Sequence, residues 1–66
     1  MRVRTDEAAD ALYIRLEEAA IVESEEVSPG VILDVDEDGR VVGIEMLNVR
    51  QRLPRAELKR VEVEVA

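Results

Sequence analysis

The 66-residue chain has no cysteine, histidine, tryptophan or phenylalanine. Lack of cysteine excludes a disulfide framework, and lack of both cysteine and histidine excludes zinc sites built on thiolate or imidazole. The same two absences remove Cys–His and Ser–His nucleophilic pairs. The three glycines, at 30, 39 and 43, stand singly, so there is no Gly-rich phosphate cradle. Tyr13 is the only aromatic residue, which leaves an aliphatic core of Val, Leu and Ile with Met1 and Met46. The longest apolar run, Ala19 to Val22, is far short of the roughly 20 residues that span a bilayer. No basic stretch leads into an apolar one, so no secretory leader is expected and cytoplasmic residence is the default expectation.

Apolar residues make up 47% of the chain and charged ones 38%, which suits a folded domain rather than a disordered one. The length allows a single small domain over residues 1–66. The net charge is −7, which repels nucleic acid and anionic membrane. The imbalance is local: residues 1–45 hold thirteen acids and four bases, residues 46–66 three acids and five bases.

Residues 31–47 carry the clearest pattern. Val31, Leu33 and Val35 alternate with Ile32, Asp34 and Asp36; after Asp38-Gly39, Val42, Ile44 and Met46 alternate with Val41, Gly43 and Glu45. Period-two alternation on both sides of an Asp-Gly pair predicts a β-hairpin. Pro29-Gly30 marks the preceding turn, and Val27 with its acidic upstream neighbours is the preceding strand. Residues 6–20 fit two readings. Asp6 before good helix formers, with Ala9, Tyr13, Leu16 and Ala20 as a stripe, suits a helix. Leu12, Ile14 and Leu16 also alternate as in a strand. A self-match favours the strand: shifted by thirty residues, Asp6-Glu7, Leu12, Ile14 and Leu16 fall on Asp36-Glu37, Val42, Ile44 and Met46.

Later in the chain, Asn48 is placed to cap a short helix from Val49 to Leu53, stopped by Pro54, or Pro54 opens a turn of its own. Val61, Val63 and Val65, alternating with Arg60, Glu62 and Glu64, predict a last strand suited to a sheet edge, where it can pair with a second copy. The expected fold is mainly β (α+β): a small twisted antiparallel β-meander of five or six strands with one short helix near residues 48–58. One short helix shelters only part of such a sheet's apolar face, so a homodimer is expected.

Asp34-Val35-Asp36-Glu37-Asp38-Gly39 followed by Glu45 satisfies the calcium-loop pattern D-x-D-x-D-G-x5-E. Strands rather than helices flank it, Glu45 belongs to the opposite hairpin arm, and Val42 stands where a polar ligand usually helps, so an acidic turn is the competing reading. The acidic run Glu23, Glu25 and Glu26, extended by Glu17 and Glu18, is either a docking face for a basic partner or a solvated strand face that discourages aggregation. The basic cluster Arg50, Arg52, Arg55, Lys59 and Arg60 lacks aromatic stacking partners and more naturally pairs with acids than with phosphate. Thr5, Tyr13, Ser24 and Ser28 are the hydroxyls, with no histidine to serve as a base. No residue is assigned a catalytic, cofactor-binding or metal-ligating role, and no enzyme activity or cofactor is expected.

Residues 6–47 resemble a small prokaryotic family known as domain of unknown function 2283. The resemblance lies in Asp10-Ala11-Leu12-Tyr13-Ile14 with Leu16, Ser24 through Val27, and Pro29-Gly30-Val31-Ile32-Leu33-Asp34 with Asp36. Asp38-Gly39, Val41-Val42-Gly43-Ile44-Glu45 and Leu47 complete it. The chain departs from the pattern at Thr5, where a Tyr is expected, and at Asn48-Val49-Arg50, where small residues are. The resemblance implies a small β-rich domain with a strand over residues 10–16, and it carries no activity to transfer. Similar proteins are often encoded beside small toxin-like genes, which implies an antitoxin-like, partner-binding role. The resulting expectation is a non-enzymatic, dimeric interaction module with an acidic face for a basic protein. The alternative is a module binding a hard cation (Ca or Mg) through the acidic 34–45 loop.

Overall fold

A computed structural model describes all 66 residues as five strands and one helical turn. The strands are β1 (Arg2–Asp6), β2 (Ala11–Arg15), β3 (Glu23–Ser28), β4 (Val31–Val35) and β5 (Val41–Met46); the helix is α1 (Val49–Arg52). They form one antiparallel sheet in the order β1-β2-β5-β4-β3. This is the small antiparallel sheet with one short helix that the alternation predicts. No helix is long and apolar enough to cross a membrane.

The hairpin over residues 31–46 turns where Asp38-Gly39 stands. Asp36 Oδ1 accepts from the N–H groups of Asp38 (3.0 Å) and Arg40 (2.9 Å), while Gly39 takes φ 77°. A side chain there would be strained, which is why glycine suits the position. The first hairpin repeats the device without glycine: the Ala9 N–H donates to Asp6 Oδ1 at 3.0 Å, and Asp10 takes φ 54°. Asp6 therefore closes a turn between strands and caps no helix, and residues 11–15 are a strand.

The thirty-residue self-match has a structural counterpart. In the β2–β5 ladder, Leu12 faces Met46 and Ile14 faces Ile44, and the Leu16 N–H donates to the Val42 carbonyl at 2.8 Å. The two matching triplets are thus paired with each other in reverse. Ile14 and its equivalent Ile44 lie opposite one another, and the β1–β2 and β4–β5 hairpins are arranged about that point as a pseudo-two-fold pair.

Register divides the sheet into two faces. One carries the row Val3–Ile14–Ile44–Leu33 and the row Thr5–Leu12–Met46–Val31. The other carries Arg2–Arg15–Gly43–Asp34–Ser24 and Arg4–Tyr13–Glu45–Ile32–Glu26. Under the aliphatic face lie α1 and the segment after it. Val49 (4% exposed) and Leu58 (7%) are buried there, and Val42 (1%) on β5 is the third buried apolar residue of the chain.

Two expectations about the second half need correction. Asn48 does occupy the residue before α1, in the left-handed conformation, but its side chain makes no capping bond. The cap comes from Asp10, in the β1–β2 turn: its carbonyl accepts from the Val49 N–H (3.0 Å) and its carboxylate from the Arg50 N–H (3.0 Å). The helix ends at Arg52, and Pro54 begins a separate turn. The strand expected over residues 61–65 does not form. No residue after Ala56 makes a backbone–backbone hydrogen bond, and Val63 and Val65 are 76% and 93% exposed. An alternating segment becomes a strand only against a free edge, and this one leaves Leu58 beneath the sheet rather than beside it.

Candidate functional site

The polar face contains the most closely built constellation in the molecule. Asp34, 7% exposed, accepts hydrogen bonds from the Ser24 hydroxyl (2.6 Å, to Oδ1) and the Tyr13 hydroxyl (3.1 Å, to Oδ2). Tyr13 in turn accepts from Arg15 Nη1 at 3.1 Å. Arg15 also donates through Nε to the Glu17 carbonyl (2.8 Å) and through Nη2 to the Ala19 carbonyl. The Tyr13 hydroxyl accepting its proton holds Arg15 charged to a pH above its ordinary range. The network ties β2, β3 and β4 together across β5, and anchors the loop after β2.

Gly43 makes that crossing possible. It lies between Arg15 and Asp34 in the same row, and a Cβ there would stand 2.6 Å from the Tyr13 hydroxyl and 3.1 Å from Asp34 Oδ2. A lone glycine within a strand marks such an approach. Both hydroxyl protons are committed to one carboxylate, and no buried side-chain polar atom lacks a partner. The arrangement is closed on itself and braces the sheet. Beside it lies a shallow cavity of about 420 Å³, with Arg4, Asp6, Tyr13, Asp34 and Glu45 as its polar lining and Ala11 and Leu47 among its apolar lining.

The calcium-pattern residues are used separately. Asp34 belongs to the polar network and Glu45 to the cavity beside it, whereas Asp36 is spent on the hairpin turn with Asp38 next to it. The structure brings no three of these carboxylates into a group able to hold a metal ion. Three members of the basic cluster pair within the fold, and Arg52 and Arg55 form no ion pair. Arg50 Nε meets Asp10 Oδ1 at 2.9 Å and its Nη2 donates to the Glu7 carbonyl at 2.7 Å; Lys59 lies 3.9 Å from Glu7, and Arg60 pairs with Glu62. The Arg50 backbone N–H, reinforced by its guanidinium, holds the Asp10 carboxyl below the usual aspartate range.

The acidic run behaves differently. All six residues of β3 are exposed, β3 is an outer strand, and Glu23, Glu25 and Glu26 have no cationic partner. Glu25, opposite Leu33, rims the aliphatic face, whereas Glu26, opposite Ile32, is on the polar one. The Ser24–Asp34–Tyr13–Arg15 network is not evident from sequence patterning alone. Its signals are a glycine inside a strand, a single tyrosine, and an aspartate at an alternating position of an otherwise aliphatic strand.

Among known protein families, the model described as "Protein of unknown function (DUF2283)" covers residues 2–50, and the chain belongs to that family. The matched span holds all five strands and ends at Arg50, the partner of Asp10. No curated protein and no solved structure matches the chain.

Proposed function

We propose that the protein is a non-catalytic interaction module that works as a homodimer, its aliphatic face turned to a second copy and its acidic β3 edge to a basic protein, in an antitoxin-like role. The observation that carries the dimer is the amount of surface left over. The chain exposes 5198 Å². A compact monomer of 7.4 kDa exposes roughly 4,200 Å². The excess of about 1,000 Å² matches the share one partner contributes to a stable protein interface, about 800 Å². The excess is apolar in character: only five of 66 residues are buried, while eleven large apolar side chains are exposed.

The unpaired carboxylates of β3 support the second half of the reading. An acidic strand edge steers a basic protein toward it and offers its free backbone groups once the partner arrives. It also repels a like edge, which keeps β3 from pairing with another β3. Co-purification with the product of the adjacent gene tests the role. Retention at low salt, lost at high salt and lost in a Glu23→Gln/Glu25→Gln/Glu26→Gln variant, is the expected result. Retention indifferent to both, or no retention at low salt, overturns it.

A further inference from the structure

The opposite outer strand, β1, has another character. Its outward side is uncovered, and its sequence alternates Arg2, Val3, Arg4, Thr5, Asp6. Residues 60–64, which make no backbone–backbone hydrogen bond, alternate Arg60, Val61, Glu62, Val63, Glu64. Laid antiparallel so that Val3 faces Val63, the two match at every position. Arg2 meets Glu64, Arg4 meets Glu62 and Asp6 meets Arg60 on the polar face; Val3 meets Val63 and Thr5 meets Val61 on the aliphatic one. Opposite charges and paired aliphatic residues are the cross-strand combinations that stabilise an antiparallel ladder.

We propose that β1 is a strand-addition edge, and that its occupant is residues 60–64 of a second copy, exchanged reciprocally between two chains. This rests on the homodimer reading and gives that dimer its geometry. Within one chain the two segments form no ladder. Leu58, buried under the aliphatic face, holds residues 60–64 below the sheet, where Val61 and Val63 line an open cavity of about 570 Å³ with Val3, Leu12 and Ile14. A segment from another molecule reaches the outer side of β1 without passing around its own edge. The exchange gives the backbone of residues 60–64 the hydrogen bonds it lacks and extends the aliphatic row from Val63 through Val3 to Leu33. The ion pairs it replaces, Arg2–Glu18 and Arg60–Glu62, are exposed and of the kind that contribute little. The other outer strand matches less well, because with the aliphatic sides aligned its Glu23 and Glu25 would face valines.

The cysteine-free chain allows a direct test. Val3→Cys and Val63→Cys are prepared separately, each at an exposed site, unfolded together, refolded and oxidised. Facing residues of an antiparallel pair lie within disulfide range. A disulfide-linked heterodimer in the mixture, absent from either variant alone, is the expected result. A Thr5→Cys plus Val61→Cys pair gives the same readout if the first pair folds poorly. The double variant Val3→Cys/Val63→Cys detects the competing arrangement: an internal disulfide in a monomer overturns the exchange. If sedimentation shows a wild-type dimer but neither pair cross-links, the exchange fails and the dimer stands; a wild-type monomer sinks both.

Discussion

On the polar face of the sheet, Asp34 is 7% exposed and each of its carboxylate oxygens accepts a hydroxyl proton; on the other face, two strands away, Leu16 is 42% exposed. The two faces obey different physics. Hydrogen bonds saturate, so four side chains and one glycine can complete the polar face within a single chain. Aliphatic burial scales with area, and one helical turn with an irregular segment does not supply the area five strands require. The polar side is therefore locally finished within one chain, whereas on the proposed reading the aliphatic side is completed by a second copy.

The comparison can be broken at several points, beginning with the largest effect. Asp34→Ala leaves the Tyr13 and Ser24 hydroxyls without their acceptor and should lower stability by about 2–3 kcal/mol in chemical denaturation. Its oligomeric state should not change, because the loss is confined to the polar face. Gly43→Ala pushes a methyl against the Tyr13 hydroxyl and should cost about 1–2 kcal/mol. Tyr13→Phe in the same background should recover part of that loss, since the atom in the way is gone.

Leu16→Ser sharpens the contrast on the aliphatic side. Covered by a second copy, Leu16 should lose about 1 kcal/mol and make the melting temperature more dependent on protein concentration; left bare, it should lose almost nothing. The smallest effect belongs to Asp10→Asn, which weakens the link between the β1–β2 turn and α1. The Asp10 carboxyl titrates below its ordinary range when folded, so the unfolded chain binds the proton more readily and stability rises with pH through that interval. The wild-type advantage over Asp10→Asn should be full at neutral pH and close as pH falls through the lowered value. Thermal melts between neutral pH and pH about 3 check it.

How far the sequence could be read follows from the same contrast. Period-two alternation and the Asp36–Gly39 turn are local, so the hairpin over 31–46 was legible, and the self-match was enough to choose strand over helix for residues 11–15. The cap of α1 is not legible locally, because its oxygens belong to Asp10 rather than to Asn48, a contact between residues about forty positions apart. The polar network was hidden for a similar reason: Tyr13, Ser24 and Asp34 meet only once the order β2-β5-β4-β3 is known. Residues 61–65 have the alternation of a strand and no strand in one chain, because alternation specifies what an edge would accept and not whether an edge is within reach.

The central claim is that the aliphatic face is completed by a second copy. Sedimentation equilibrium of the wild-type chain at micromolar concentration tests it most directly. The account predicts a folded species of twice the 7.4 kDa chain mass, dissociating on dilution with loss of structure. A folded, cooperatively melting species of single-chain mass, with a melting temperature independent of concentration, would contradict it.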